Sequence, residues 1–387
     1  MYVGTLPPHM GGSAIQGAHV LVGLARRGHR VRAVAQITPA AHQNGDEFAR
    51  SHPELEVVRM TIPDYHLSME VRPDDAFREL EGREIERLAR PLLAAERPDV
   101  IVFGRESFAW HLSRLGDLDG IPRVLFAQGS TRYPPEDATT LVEQFRKMDG
   151  VVAAAGHVRE RFGGFGVDRV EVVRNAVDLS LFSPSPRDPR LSRELRIEDD
   201  DVVVLHASNL KRVKRPLDLV ESAAIAVAEE PRLLYLIVGD GPLRQETEEA
   251  AAAKGVAHRF RFVEWVDHQL MPAYLSVADI VAMPSETEAQ ALAYLEAMAC
   301  ARTLLTSDVP GAREVADDGD SAVFFRMGDV HDLAAKTVAL ARDRELREAI
   351  GRRARQRVRR HSPDKVVREY ERVLTDVVAG ARGRPAP

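Results

Sequence analysis

Two glutamates bracket what reads as the start of a helix: Glu288 in a polar loop, and Glu296 inside the apolar run LAYLEAMA. Both fall in residues 284–319, PSETEAQALAYLEAMACARTLLTSDVPGAREVADDG. A helix beginning near Ala291 leaves the backbone N–H groups of Ala289, Gln290, Ala291 and Leu292 without intrahelical partners, and such a cluster suits a diphosphate. One carboxylate ahead of that position and another a turn and a half inside the helix would grip hydroxyls on opposite sides of the phosphates. A nucleotide sugar has hydroxyls in those two places. The spacing alone arises often by chance, and two solvated helix-end carboxylates are the alternative; the position between a strand and an apolar helix favours a site.

The elements that must position such a site follow from hydrophobic periodicity. Residues 2–6 read as a short strand, residues 7–12 as a loop ending in Gly11-Gly12, and Ile15, Ala18, His19, Val22 and Ala25 as one face of a helix. Gly28 is placed to stop that helix, and residues 31–37 form the next buried strand. This βαβ unit predicts a parallel sheet. Short apolar strands follow at 100–103, 124–127 and 151–154, and Pro184, Pro186 and Pro189 then mark a linker. A second series begins at 202–206, with a helix near 217–227 and strands at 233–238, 260–263, 280–283 and 304–306. The fold class is therefore α/β, as two facing doubly wound Rossmann-like domains. An N-terminal domain is expected at 1–185 and a second at 190–365, with a C-terminal helix at 366–380 packing back on the first and a disordered tail at 381–387. Ligands in such sheets lie outside the carboxyl ends of the strands, so the cleft between the domains is the expected site.

Composition sets the limits. The 387 residues suit two domains of about 150–200 residues each. With 44% hydrophobic and 29% charged residues the chain reads as soluble and globular, and a net charge of −6 argues against a general polyanion binder. The sole cysteine, Cys300, sits in an apolar run, fits a reducing cytoplasm and reads as a buried thiol. No signal peptide or window of about 20 apolar residues is evident. Arg352, Arg353, Arg355, Arg357, Arg359 and Arg360 crowd one helical stretch; a solvated face explains them, and weak contact with anionic lipid is the competing reading. Asp117-x-Asp119 reads as a surface turn rather than a metal motif, and no Cys/His cluster has zinc spacing. A glycine-rich dinucleotide fingerprint and a P-loop are both missing.

The 284–319 stretch resembles the signature of the retaining GT-B glycosyltransferases of family 4: Glu-x7-Glu, an Ala-Met-Ala helix, then Gly311-Ala312-Arg313-Glu314 as the G-x-x-E loop. Further pieces keep the family's order: Gly11-Gly12, Arg27-Gly28-His29, Asn175-Ala176-Val177-Asp178 with Phe182, Ser208-Asn209-Leu210 through Lys214-Arg215, and Gly239-Asp240-Gly241-Pro242. The resemblance implies that Glu296 holds the ribose, Glu288 the donor sugar and Lys214 the diphosphate, where charge develops as the leaving group departs. It implies that Gly12 lets a backbone N–H approach the phosphates. Asn209, Gly239 and residues 289–292 complete the donor side, and Lys214, Glu288 and Gln128 the catalytic set. It also implies retention of configuration, a UDP-sugar co-substrate, and no cofactor or obligatory metal. For Lys214 the alternative is a surface lysine among the basic residues Lys211, Arg212 and Arg215.

Three departures stand out. Gln128-Gly129 replaces the family's His-Gly, and glutamine cannot carry a proton at neutral pH. Asn209 occupies the usual phosphate-arginine position, where Lys211 or Arg212 would compensate. Gln290 and Ala291 replace Phe-Gly. The S-N-x-x-x-V-K-R form resembles the branch adding N-acetylglucosamine to malate, and also enzymes that glycosylate 2-deoxystreptamine in aminoglycoside antibiotic biosynthesis. The acceptor side is expected from residues 60–75 and 104–136, with His9, Glu106, Arg132 and Tyr133 as candidates. Carboxylates would suit a cationic aminocyclitol and arginine would suit malate or an inositol-type acceptor, so the sequence does not choose. A catalytically silent sugar-nucleotide-binding partner, or an epimerase or hydrolase on the same fold, are the rival classes. The chain is expected to be cytoplasmic, as a monomer or homodimer.

Overall fold

The computed structural model describes residues 1–9, 11–37, 46–62, 75–116, 118, 120–129 and 135–382. Asp117, Asp119, Arg132 and Tyr133 lie outside them, as does much of the expected acceptor region. The described residues up to Ala176, together with those from Pro363 onward, form one compact unit, and Val177–Ser362 form a second. The division thus falls ahead of the proline cluster.

The first unit is built on a seven-stranded parallel sheet: β1 (Tyr2–Thr5), β2 (Val31–Ile37), β3 (Leu55–Thr61), β4 (Ile101–Phe103), β5 (Arg123–Ala127), β6 (Gly150–Ala153) and β7 (Val170–Val172). Their spatial order is β3-β2-β1-β4-β5-β6-β7. Strands β1, β2, β4 and β6 are buried along their whole length, as expected of parallel strands covered on both faces. Between β1 and β2 runs the helix Gly12–Arg26, which ends where Gly28 takes a φ of +93° and its N–H reaches Ala25 O at 2.9 Å. A glycine adopts that left-handed turn at no steric cost.

The buried face of this helix is wider than the periodicity predicts. Ala18 and Val22 are buried, but Ile15, His19 and Ala25 are only partly so, while Gln16, Gly17, Val20, Leu21 and Leu24 are also inside. The reason is a second neighbour: the helix Pro363–Arg382, longer at both ends than the expected 366–380, packs on it. That later helix buries Val366, Val367, Tyr370, Val373, Leu374 and Val377 in the core of the first unit. Gly23 marks the closest approach, since a Cβ there would lie 2.8 Å from a methyl of Val367.

The second unit repeats the plan with six parallel strands: β8 (Val202–Ala207), β9 (Leu233–Val238), β10 (Phe260–Val263), β11 (Ile280–Met283), β12 (Thr303–Ser307) and β13 (Val323–Phe325). Their order is β10-β9-β8-β11-β12-β13. Chain direction across the sheet reverses between β8 and β11, which is where ligands of doubly wound folds bind. The helix Pro216–Glu229 follows β8 and contributes Leu219, Val220, Ala223 and Ala226 to a core shared with β8, β9 and β11.

The arginine-rich helix Arg344–Val358 spends much of its charge within this unit. Arg355 donates to Phe182 O and Ala299 O at 2.8 and 2.7 Å, and Arg353 and Arg357 pair with Asp320 and Asp317. Among the described residues, no helix is long and apolar enough to cross a membrane.

Candidate functional site

The loops that leave the carboxyl ends of the second sheet carry the predicted donor residues. Strand β8 runs into Ser208, Asn209 and a short turn, Arg212–Lys214. Strand β11 runs into Pro284 and the loop that carries Glu288. These two loops start on either side of the switch point and are tied together by Glu286 N–H donating to Val213 O at 2.8 Å. There Lys214 Nζ donates to Glu288 Oε1 at 2.6 Å, with Glu288 buried and Lys214 partly exposed. The lysine and the glutamate thus hold each other in place.

Beneath them lies His206, fully buried at the end of β8. Burial, with a smaller push from the Lys214 charge, lowers its pKa to about 4 against the opposing pull of the Ala282 carbonyl and Glu288. The ring is therefore neutral at pH 7. Its Nδ1–H donates to Ala282 O at 2.9 Å, so Nε2 must accept from the Ser208 hydroxyl, 2.8 Å away. This arrangement stitches the roots of β8 and β11 together below Lys214, and no spacing pattern in the sequence announces it.

Glycines shape the rest of the rim. Gly239, with φ +133°, lies where a Cβ would collide with Ser208 O, and a Cβ on Gly241 would come within 2.7 Å of Leu210 N. Leu210 N–H in turn donates to Asp240 O at 2.9 Å. Gly311, after β12, supports the glutamate loop itself. A Cβ there would strike Glu288 O and sit 2.6 Å from Ala289 O. The G-x-x-E resemblance thus has a steric content: only glycine lets the 310–313 turn press against the backbone that carries Glu288.

The helix expected near Ala291 begins at Leu292, with Ala291 as its N-cap residue, whose side chain makes no capping hydrogen bond. Ala289, Gln290 and Leu292 are buried and Ala291 half-buried. Glu296 follows on the same helix, buried, and accepts a hydrogen bond from His268 Nε2 at 2.7 Å. His268 stands on the turn His268–Leu270 after β10, with its ring 5.1 Å from that of Phe182. This partner of Glu296 was not among the sequence candidates. Asn209 is half-buried and its carbonyl accepts from Lys211 N–H at 2.7 Å. Cys300 is buried, and burial pushes its thiol up to about 12, an inert thiol. Tyr294 lies fully buried on the Glu296 helix, hydrogen-bonded with Thr306 at 2.8 Å.

In the first unit, Gly11 caps the helix Gly12–Arg26 with φ +119°, Gly12 is exposed, and His9 is buried with its N–H on Leu6 O. Gln128, just past β5, points its amide inward, where Nε2 donates to Tyr370 OH at 2.8 Å. Its Oε1 is buried with no hydrogen-bond partner among the described residues. Glu106 is buried and takes a 2.6 Å hydrogen bond from Arg161, which also reaches Gly129 O. Its charge is already answered from within the unit.

Among the described residues, no group of three or more His, Cys, Asp or Glu side chains is disposed to hold a metal ion.

Two parallel, doubly wound units, the second carrying this lysine–glutamate rim, define the GT-B class. Solved structures of that class match nearly the whole chain: sucrose-phosphate synthase from Thermosynechococcus elongatus (TM-score 0.83, 17% identity, 98% of this chain and 99% of the other) and Anabaena HepE in complex with UDP and glucose (0.79, 17%, 97% and 99%). At that identity the likeness is one of fold. Residues 10–181 match the model of Glycosyltransferase Family 4 and residues 188–357 that of Glycosyl transferases group 1, and the chain belongs to this family of glycosyltransferases.

Similar proteins include N-acetyl-alpha-D-glucosaminyl L-malate synthase of Bacillus anthracis, 30% identical over 54% of each chain. A D-inositol 3-phosphate glycosyltransferase of Geodermatophilus obscurus is 33% identical over 54% of this chain and 48% of its own. Alpha-D-kanosaminyltransferase of Streptomyces kanamyceticus is 28% identical over 61% and 65%. The chain spans about half the length of the first two.

Proposed function

We propose that this chain transfers glucose or N-acetylglucosamine from a UDP-sugar to a hydroxyl of a small polar acceptor, with retention of configuration and no obligatory metal. The observation that carries the reading is the Lys214–Glu288 pair at the switch point of the second sheet, with Glu296 on the helix that follows. Donor binding would re-share that pair: the diphosphate takes Lys214, and the sugar hydroxyls take Glu288. Lys214 then answers the charge that develops on the departing UDP, where a preorganised cation is worth most. The uncapped start of the Leu292–Ala299 helix adds backbone N–H groups to the same phosphates. No carboxylate is assigned as a nucleophile, so orientation of donor and acceptor supplies much of the remaining rate.

An aminocyclitol such as 2-deoxystreptamine is the preferred acceptor, on the S-N-x-x-x-V-K-R form at residues 208–215. Malate or an inositol-type acceptor is the second reading, favoured by two of the relatives. The buried Glu106–Arg161 pair presents both charges together and supports neither over the other. A cytoplasmic setting is proposed on the strength of the lone buried thiol.

The test is a mass-spectrometric screen of UDP-glucose and UDP-N-acetylglucosamine against 2-deoxystreptamine, malate and inositol phosphate. UDP release that depends on one acceptor supports transfer. Donor binding without turnover across the panel supports the silent-partner reading. Turnover should persist in excess EDTA; loss with rescue by Mg²⁺ would contradict the metal-independent mechanism.

A further inference from the structure

The proposed mechanism uses Glu296 but leaves unused the residue that touches it. His268 lies on a different loop, 2.7 Å from Glu296 Oε1, and is only partly exposed. Two contacts fix the ring's place. Asp267 accepts from Gln269 N–H at 2.8 Å and so caps the turn that carries it. Phe182 packs on the ring, and the Phe182 carbonyl is itself held by Arg355. The turn and the Phe182 ring thus place the imidazole beside Glu296.

We propose that His268 is a positioning residue for the donor site: it ties down one carboxylate oxygen of Glu296, leaving the other for the nucleotide's ribose, and its positive charge offsets that carboxylate so that the diphosphate is not repelled. This rests on the reading of Glu296 as a donor-binding residue.

The electrostatics agree with the geometry. Three carboxylates face the ring: Glu296 from the Leu292–Ala299 helix, Asp267 from its own turn, and Asp178 from the segment leading to Phe182. Burial opposes the charged form, but the Glu296 hydrogen bond and these negative charges outweigh it, holding the imidazole pKa above its ordinary value. Arg355 is directed at backbone carbonyls of Phe182 and Ala299. When the ring is protonated, the Glu296–His268 unit carries little net charge. As pH rises through the folded-state pKa of His268 the cation is lost, while the hydrogen bond can persist through the neutral Nε2–H tautomer. An uncompensated carboxylate then stands close to a bound anion.

The experiment is calorimetric titration of the full chain with UDP-glucose and UDP-N-acetylglucosamine, whose diphosphate charge is constant between pH 6 and 9. His268→Ala should raise Kd about tenfold, the loss of one charge-assisted hydrogen bond. His268→Gln, whose amide reaches a similar point, should stay within about threefold of the parent above the pH at which the parent imidazole loses its proton. In the parent, affinity should fall as pH rises through the His268 titration, and in His268→Gln that step should vanish. The double variant His268→Ala/Glu296→Gln should bind no worse than Glu296→Gln alone. Additive losses in the double variant, or the same pH profile in parent and His268→Gln, would overturn the proposal while leaving the donor site intact. Should Glu296→Gln bind like the parent, the donor-site reading itself fails and the role of His268 with it. Melting curves for each variant separate misfolding from lost binding, and the pH comparison with His268→Gln decides the matter if the alanine variant does not fold.

Discussion

Lys214, Glu288 and Glu296 carry most of the proposed chemistry, and kinetics can tell them apart. Glu296→Gln should raise the donor KM by about tenfold, the cost of one charge-assisted hydrogen bond to the ribose. Lys214→Ala should act chiefly on kcat, because its charge is needed most as UDP departs; initial rates over a donor series separate the two effects. His206 makes a prediction about stability. Its folded pKa of about 4 lies below the ordinary 6.5, so the unfolded chain binds the extra proton first. The stabilisation is complete above pH 6.5 and is lost as pH falls toward 4, by on the order of 3 kcal/mol. His206→Asn keeps a donor for Ala282 O without a titrating ring and should flatten that part of the curve; urea midpoints from pH 7 to pH 4 would show it.

At the scale of elements, Gly311→Ala should cost about 1–3 kcal/mol and weaken donor binding, because the added methyl strikes the backbone of Glu288 and Ala289. Gly163→Ala, in open space, is the control and should lie within about 0.5 kcal/mol of the parent. Urea midpoints and donor titrations on both variants check this. Fully buried parallel strands leave mostly apolar runs, and the interior strands β2, β9 and β11 fall where residues 31–37, 233–238 and 280–283 place them; β10, an edge strand, also falls where residues 260–263 place it. The strands that escaped notice lie at sheet edges. In β3, charged Glu56 and Arg59 interrupt the pattern; β7 is three half-buried residues with Glu171 in the middle; β13 is another three-residue edge strand. Glu288 was legible from its place ahead of a helix start and Lys214 through motif resemblance, whereas their contact is geometric. The His268–Glu296 contact joins a turn and a helix far apart in the chain, so nothing local in the sequence could point to it.

Across the whole molecule, the notable connection is the one that leaves the first unit at Ala176 and returns to it at Pro363. The returning helix supplies six buried apolar side chains to the first core. At about 1.5–3 kcal/mol each, their burial is comparable to the entire stability of a domain. A chain truncated before Pro363 should lose the melting transition of its first unit and keep that of its second, read by calorimetry on both forms. The same connection sets an order of events during synthesis. Residues up to Ala176 emerge from the ribosome before the second unit, yet their core stays unsealed until the Pro363–Arg382 helix has been made. The later-made second unit, complete once Ser362 is out, has every piece of its own core before the earlier one does. The part translated earlier is thus finished after the part that follows it, and its open apolar face must be kept from misassociation while residues 177–382 are being made.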